Sequence, residues 1–304
     1  MNQRPEKDNN DVTIRRLVAN ADKEMNQFFK SAEEQGDVQP ITQNAACPPS
    51  SSSVGAGEIL IEEILRNNNM LVQGSGLGPV FADEYRRIKR PLLSNAFGKT
   101  ASLLERANLI LVTSSIPGEG KTFTAMNLAL SIAYERNHTV LLIDCDVTRF
   151  ATSRMLGIED RPGLVDLLEN SDFSVGDAIL RTNVPTLSLI SAGKQHGFVT
   201  ELLASQRMSE LMSEIGERYD DRVIIFDGPP MLSTPQTQVL ASQVGQVVFV
   251  VEAGKTPQTV VEEALKVIPE ERATGLVMNK SEGISARSRY YYGYYDKDGK
   301  TGLK

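Results

Sequence analysis

The chain has 304 residues, with 32 basic and 39 acidic side chains and a net charge of −7. This acidic balance excludes a broadly basic nucleic-acid-binding surface, so no nucleic acid is expected among the partners. Because 40% of the residues are apolar, the chain can bury a substantial core. Its two cysteines, Cys47 and Cys145, are too few for a disulfide framework and indicate a reducing compartment, with the cytoplasm as the expected location.

The sequence lacks the segments typical of export or membrane insertion. No stretch approaches the roughly 18 consecutive apolar residues that a membrane-spanning helix needs. Residues 1–7 also contain no apolar signal segment. Export and integral membrane insertion are therefore not expected.

The first third of the chain divides into an arm and a helical lead-in. Residues 1–57 are rich in Asn, Gln, Ser, Pro and charge, which predicts a flexible arm. Within it, residues 11–34 fit either a short helix or a solvated segment. Residues 58–106 form the lead-in, with helical patterns over residues 58–66 and 81–96 and a glycine-rich break between them.

From residue 107 onward, short β-rich runs alternate with helical stretches. Most of these runs are almost continuously apolar, as expected for strands that are covered on both faces. The pattern predicts a doubly wound α/β domain with a mainly parallel sheet over residues 107–284. Ligands of such sheets bind beyond the carboxyl ends of the strands. The runs are residues 109–113, 139–143, 186–190, 222–226, 246–251 and 274–278.

A glycine-rich loop follows the first run, from Ser115 to Thr122, and a helical pattern follows the loop. Such a loop curls its backbone N–H groups around a phosphate, while Lys121 supplies charge and Thr122 a hydroxyl for Mg²⁺. The alternative is an ordinary strand-to-helix turn, but Gly-Lys-Thr in this context favours ATP binding. The predicted nucleotide contacts are Pro117, Gly118, Glu119, Gly120, Lys121, Thr122 and Phe123.

Acidic residues stand at the ends of two other runs, namely Asp144 and Asp146 after the second and Asp227 after the fourth. Phosphate-bound Mg²⁺ is commonly oriented by one or two carboxylates. We therefore predict a Mg²⁺ site at Thr122, Asp144 and Asp227. Either Asp144 or Asp146 would accept a proton from an attacking hydroxyl, and the sequence leaves that choice open. Each acid alone would equally suit a helix cap.

The last segment, residues 285–304, contains five of the eight tyrosines within six positions. Flanking glycine and charge argue against a buried strand. A nucleic-acid stacking platform and a membrane contact are alternatives, but a cluster of phenol acceptors beside a predicted ATP site is favoured. The catalytic residues would then be Lys121, Asp144, Asp146 and Asp227. The predicted phosphate acceptors are Tyr290, Tyr291, Tyr292, Tyr294 and Tyr295.

Over residues 80–297 the sequence resembles the bacterial tyrosine kinases known as BY-kinases. The motifs that carry this resemblance are the Pro-Gly-Glu-Gly-Lys-Thr loop, an apolar run ending Asp-x-Asp, a second ending Asp-x-Pro-Pro, and the tyrosine cluster. The resemblance implies a P-loop ATPase fold that uses ATP and Mg²⁺ for tyrosine autophosphorylation. It also implies a subunit contact at Glu84, Arg87 and Arg90, which match Glu-x-x-Arg-x-x-Arg on a helix.

Within that family, the sequence looks like the autokinases associated with exosortase and exopolysaccharide gene clusters. This likeness implies a ring-like homo-oligomer in which each tail enters a neighbouring site. It also implies a membrane activator of the chain-length-determinant type acting through its cytoplasmic segment, and a phosphotyrosine phosphatase. The kinase would then lie on the cytoplasmic side of the inner membrane and regulate exopolysaccharide polymerisation and export.

Five positions depart from the family pattern, bear on a rival function or remain ambiguous. Thr148 stands where the second motif usually has an arginine, and Gln236 stands where many members have an acid. Ile116 occupies the position of the second lysine of positioning ATPases with a deviant Walker A loop, which argues against that rival function. An ATP-dependent scaffold of the export machinery is a further alternative. Asn279 and the lysine after it fit either an adenine contact or an ordinary turn.

Overall fold

The computed structural model describes residues 58–72, 79–98 and 101–281, so the predicted arm and the tyrosine tail lie outside the described residues. Eight strands occur in the described ranges. They are β1 (Glu58–Ile59), β2 (Leu109–Ser114), β3 (Thr139–Asp144), β4 (Leu180–Thr182), β5 (Leu187–Ile190), β6 (Arg222–Asp227), β7 (Gln246–Glu252) and β8 (Ala273–Asn279).

These strands form a single sheet in the order β1-β4-β5-β3-β6-β2-β7-β8. All neighbouring strands run parallel except β4 and β5, which are antiparallel. The predicted doubly wound, mainly parallel sheet is thus confirmed. Because β3, β6 and β2 are adjacent and parallel, the loops that follow them meet at one edge of the sheet.

Helices cover both faces of the sheet, and alternate residues of each strand pack toward opposite sides. In β2, Ile110 and Val112 belong to one buried apolar cluster, whereas Leu109 and Leu111 belong to the other. The helices are α1 (Glu62–Asn67), α2 (Pro79–Phe97), α3 (Lys121–Ala133), α4 (Ala151–Leu156), α5 (Leu164–Glu169), α6 (Val175–Ala178), α7 (Val199–Leu203), α8 (Gln206–Glu217), α9 (Pro235–Gln243) and α10 (Gln258–Leu265).

Helix α3 begins in the glycine-rich loop and is buried along almost its whole length. Helix α2 packs beside it and turns Tyr85, Lys89 and Leu92 inward. The Lys89 ammonium donates to the carbonyl of Ser131 at 2.6 Å and lies 2.7 Å from a carboxylate oxygen of Glu135. This buried cation therefore attaches α2 to the carboxyl end of α3.

The six predicted strands are confirmed, each within one residue at either end, and the predicted helix over residues 81–96 corresponds to α2. The predicted helix over residues 58–66 is wrong at its start, because Glu58–Ile59 is a strand and the helix begins at Glu62. The physical reason is a partner distant in sequence. Asn183 donates its backbone N–H to Ile59 and accepts from the N–H of Ile61.

Strand β4 was not predicted, because its Leu-Arg-Thr sequence shows no apolar run. None of the helices in the described ranges is both long enough and apolar enough to cross a bilayer.

Candidate active site

The loop between β2 and α3 has the curled backbone that phosphate binding requires. Gly118 and Gly120 adopt positive φ angles of 93° and 95°, and Gly120 caps the amino end of α3. A side chain at Gly120 would also collide with the amide of Asn279. Glycine is therefore required at this position by both conformation and space. The amino terminus of α3 then offers its first-turn N–H groups and a positive dipole end to an anion.

Glu119 holds the loop from behind rather than facing the phosphate position. Its side chain is only 1% exposed. One carboxylate oxygen accepts from the backbone N–H of Ile116 at 2.8 Å. The other accepts from the hydroxyl of Thr256 at 2.6 Å and from the N–H of Glu252 at 3.3 Å. Glu119 thus joins the glycine loop to the segment after β7, and only its backbone remains to contact a nucleotide.

The end of β8 holds the same loop from a second side. Asn279 donates its side-chain amide to the carbonyl of Glu119 at 2.8 Å. Lys280 donates to the carbonyl of Gly118 at 2.7 Å and lies 3.2 Å from the carboxylate of Glu252. Both residues are therefore used as supports of the phosphate loop.

We expect Glu119→Ala to weaken ADP binding about tenfold, because three hydrogen-bond donors behind the loop lose their acceptor and the loop loses its fixed shape. Isothermal titration calorimetry would measure the change. Thr256→Val is the matched control, since it removes only one of the three bonds, and its effect should be about two- to threefold. Equal ADP affinity in Glu119→Ala and the parent chain would contradict the support role.

Lys121 and Asp146 form a buried ion pair at the centre of the site. The ammonium lies 2.9 Å from the Oδ2 atom of Asp146, and both side chains are at least nine-tenths buried. The other oxygen of Asp146 accepts from the backbone N–H of Arg149 at 3.1 Å. The charge that would face a phosphate is thus already neutralised by an acid of the second motif.

Asp144 and Asp227 stand directly opposite each other, because they are register partners in the parallel strands β3 and β6. Asp144 accepts from the N–H and hydroxyl of Ser153 and from the N–H of Asp146. Asp227 accepts from the hydroxyl of Thr152 at 2.7 Å. Both acids are fully shielded from solvent.

Burial, and then the charge of Asp227, raise the pKa of Asp144 to about 7. Burial likewise raises the pKa of Asp227, whereas the charge of Lys121 and hydrogen bonds from Thr152 and Thr122 act to lower it. Two carboxylates that are buried side by side repel each other when both are ionised. The pair therefore favours a cation or a proton between its members.

The residues fit a Mg²⁺ ion that is bound mainly through phosphate and water. The Oδ1 atom of Asp227 is buried and accepts no hydrogen bond from the described residues, so it is available to a metal-bound water. Within the described ranges, no three acidic, histidine or cysteine side chains are grouped to hold a metal by themselves. Mg²⁺ suits such a site, since it usually keeps several waters and takes few protein ligands.

The remaining predicted residues differ in where they lie. Pro117 is exposed at the loop and Thr122 is half-buried, but the Phe123 ring packs against Phe81, with ring centroids 6.1 Å apart. The predicted subunit-contact residues Glu84, Arg87 and Arg90 are exposed on α2, opposite its buried face. The predicted acceptor tyrosines lie outside the described residues.

Sequence reasoning missed Thr152, Ser153 and Thr256, which hold the acids and the loop. Their partners are 75, 9 and 137 positions away in sequence. No local spacing pattern marks such residues as functional. Only the fold brings α4 and the segment after β7 to this edge of the sheet.

The parallel sheet, the glycine loop at the start of α3 and the acids at the ends of β3 and β6 define a nucleotide-binding P-loop protein. Consistent with this class, residues 107–272 match the family described as an AAA domain. The chain is 31% identical to the tyrosine-protein kinase YwqD of Bacillus subtilis over 218 residues, covering 71% of this chain and 87% of that protein. The chain belongs to the family of bacterial tyrosine-protein kinases.

Other relatives place the same domain in longer proteins. The putative tyrosine-protein kinase EpsB of Ralstonia nicotianae is 32% identical over 195 residues, which is 64% of this chain but only 25% of EpsB. This chain thus spans about a quarter of that relative. The crystal structure of the VpsO kinase domain has a TM-score of 0.56 and 30% identity, covering 67% of this chain and 97% of that domain.

Proposed function

We propose that this chain is an ATP-dependent protein-tyrosine autokinase that phosphorylates its own tyrosine cluster between subunits. The observation that carries the proposal is the group formed by Lys121, Asp146 and the facing carboxylates of Asp144 and Asp227 at the end of the phosphate loop. Membership of the bacterial tyrosine-protein kinase family supports it.

In the proposed reaction, the phenol oxygen of a tyrosine forms a bond to the γ-phosphorus of ATP while the bond from that phosphorus to the ADP oxygen breaks. Backbone N–H groups of the loop from Gly118 to Thr122 bind the phosphates, and Lys121 neutralises the charge that develops on them. Bound Mg²⁺ would neutralise phosphate charge and hold waters, with Thr122, Asp144 and Asp227 as its orienting residues.

We assign the proton-accepting role to Asp146. Both oxygens of Asp144 already accept hydrogen bonds, from Ser153 and from the backbone of Asp146. The Oδ2 atom of Asp146 is held by Lys121, and it becomes available when the ammonium moves to the phosphates. Tyrosine, with a reference pKa near 10, needs such an acceptor at neutral pH.

Peptide mass spectrometry after incubation with MgATP tests the proposed activity. We expect added phosphate on the tail peptide of the parent chain, and none on that peptide when the five tail tyrosines are changed to phenylalanine. The five-residue variant keeps the phosphate site intact, so it should still bind ATP with the parent affinity. The changed residues are Tyr290, Tyr291, Tyr292, Tyr294 and Tyr295.

A mixing control and one contrary outcome complete the test. Mixing the tail variant with a catalytically inactive chain would show whether phosphate passes between subunits, because acceptor and active site are then on different molecules. ATP binding or hydrolysis without phosphotyrosine, even with the cytoplasmic segment of a membrane activator added, would instead assign a positioning ATPase or a scaffold.

The exposed face of α2 supports a homo-oligomer. Glu84, Arg87 and Arg90 point away from the buried residues of that helix, and we propose that they contact a neighbouring subunit in a ring. A membrane protein of the chain-length-determinant type would activate the ring from the inner membrane, and a phosphatase would reverse it. Through this cycle the kinase would regulate exopolysaccharide polymerisation and export.

A further inference from the structure

A cleft of about 440 Å³ lies between α4 and the segment after β5, within the range of about 300–1,000 Å³ typical of ligand sites. Its lining comes from three segments, within residues 150–154, 159–166 and 193–195. Neither the residues of the phosphate loop nor the acids at the strand ends belong to this lining. The cleft is therefore separate from the site assigned to ATP and Mg²⁺.

The walls of the cleft are fixed to each other by hydrogen bonds and close packing. Ser191 donates its hydroxyl to the carbonyl of Arg161 at 2.8 Å, and Asp166 accepts from the N–H of Gly163 at 2.9 Å. Gly163 packs so closely that a side chain there would collide with the backbone of Ser191 and Gly193. The cleft is thus largely preformed, as sites for small molecules usually are.

Two arginine side chains in the cleft have no anionic partner in the part of the chain that the structure describes. Arg154 and Arg161 are exposed, and neither guanidinium forms an ion pair or a hydrogen bond with another described residue. The guanidinium of Arg154 instead lies 5.8 Å from the ring centroid of Phe150, which is a weak contact at an exposed site. Because guanidinium groups match phosphate in charge and geometry, the two arginines suit a phosphate group.

Carboxylates line the same cleft, and they restrict the kind of molecule that fits it. Glu159 and Asp160 are exposed there. An ionised carboxylate only accepts hydrogen bonds, so it repels a bare anion but binds hydroxyl groups. The one aromatic ring among the described lining residues, Phe150, is 5% exposed and offers no surface on which a nucleobase could stack. A small molecule with a phosphate and several hydroxyl groups therefore matches the lining.

Both walls of this cleft are also connected to an acid of the metal site. The hydroxyl of Ser153 donates to Asp144 at 2.7 Å and accepts from the backbone N–H of Ala192 at 3.1 Å. Ser153 directly precedes Arg154 in one wall, and Ala192 directly precedes Gly193 in the other. A ligand that contacts both walls would therefore hold Ser153, and with it Asp144, in place.

We propose that this cleft binds a sugar phosphate, with Arg154 and Arg161 on its phosphate group and Glu159 and Asp160 on its hydroxyl groups. The bound ligand strengthens the binding of MgATP, because it stabilises the position of Asp144, an orienting residue for Mg²⁺. The site does not depend on phosphate transfer to tyrosine. Its use, which rests on the proposed function, would be to couple the kinase to the supply of sugar for the polymer.

Isothermal titration calorimetry with glucose 1-phosphate tests the site on the full chain. An excess of Mg²⁺ and the non-hydrolysable ATP analogue AMP-PNP keeps the phosphate loop occupied. We expect saturable binding that is at least about tenfold weaker in Arg161→Gln, because charge-assisted hydrogen bonds are lost. Arg136→Gln is the matched control and should leave the affinity unchanged. Arg136 is an exposed arginine between α3 and β3, at the end of the sheet where the parallel strands begin.

Two further probes separate a sugar phosphate from a general anion. Inorganic phosphate and glucose should each bind at least about tenfold more weakly than glucose 1-phosphate, since each supplies only one of the two kinds of contact. Equal affinities for inorganic phosphate and glucose 1-phosphate would overturn the sugar-phosphate assignment. Absent binding, or binding of equal strength in Arg161→Gln and the parent chain, would overturn the site itself.

The affinity for Mg²⁺ and AMP-PNP, measured with and without saturating glucose 1-phosphate, tests the connection to Asp144. We expect the sugar phosphate to tighten nucleotide binding about fivefold in the parent chain and to have no effect in Arg161→Gln. Weaker nucleotide binding would mean competition for the phosphate loop and would overturn the separate site, whereas an equal affinity would overturn the connection. Both measurements are independent of phosphotyrosine, so failure of the kinase proposal would appear separately, in the mass spectrometry.

Discussion

Lys121→Met is expected to lower tyrosine phosphorylation at least about a thousandfold, because the phosphate site loses the one side-chain cation of its glycine loop. It should also destabilise the nucleotide-free chain by about 3 kcal/mol. The reason is that Asp146, only 2% exposed, loses the ammonium that lies 2.9 Å away and becomes an unpaired buried charge. Phosphotyrosine blotting and urea denaturation measure the two effects.

The double variant Lys121→Met/Asp146→Asn separates the two consequences. Removing the buried charge should restore most of the lost stability while leaving phosphorylation absent. Phosphotyrosine that persists in Lys121→Met, purified free of other kinases, would remove Lys121 from its proposed role. A double variant no more stable than the single one would show that the unpaired charge of Asp146 is not the cause of the lost stability.

Asp227→Asn should change activity and stability in opposite directions. The asparagine side chain can still accept the hydrogen bond from the Thr152 hydroxyl. The substitution removes one of the two facing buried charges. We expect phosphorylation to fall by about a hundred- to a thousandfold, since an orienting carboxylate of the phosphate site is lost. We also expect the metal-free chain to gain about 1–2 kcal/mol at pH 8, because Asp144 then ionises without a charged neighbour.

The pH dependence of stability gives an independent check on this pair. The folded chain raises the pKa of Asp144 from 3.8 to about 7, so between these values the folded state binds the proton more tightly than the unfolded state. The free energy of unfolding contributed by Asp144 therefore falls as pH rises from about 4 to about 7. Melting temperatures in EDTA at pH 5 and pH 8 should differ less in Asp227→Asn than in the parent chain, and an equal difference would contradict the coupling.

The central sheet could be predicted from sequence because its strands are buried on both faces and are therefore continuously apolar. The phosphate loop and Asp227 could be predicted for a related reason, since each directly follows such a strand. The strand β1 at one edge of the sheet and its neighbour β4 could not, because they are two and three residues long and their pairing with each other spans more than 120 positions.

The inner organisation of the site also lay beyond sequence reasoning. The pattern placed Asp144 and Asp146 together, but the fold gives them different partners, Ser153 for the first and Lys121 for the second. Glu119 was predicted as a nucleotide contact, yet its carboxylate supports the loop from behind. Such assignments depend on the direction in which a side chain turns, and spacing along the chain does not determine that direction.

The attachment of Lys89 to the end of α3 has a mechanical consequence. Helix α3 has 13 residues and is thus a rod of about 20 Å at 1.5 Å per residue. One end of this rod is the phosphate loop at Lys121, and the other carries α2 through Ser131 and Glu135. The phosphate loop and the helix that carries the charged outer face are therefore joined through one continuous buried helix, about 20 Å apart, without any direct contact being needed between them.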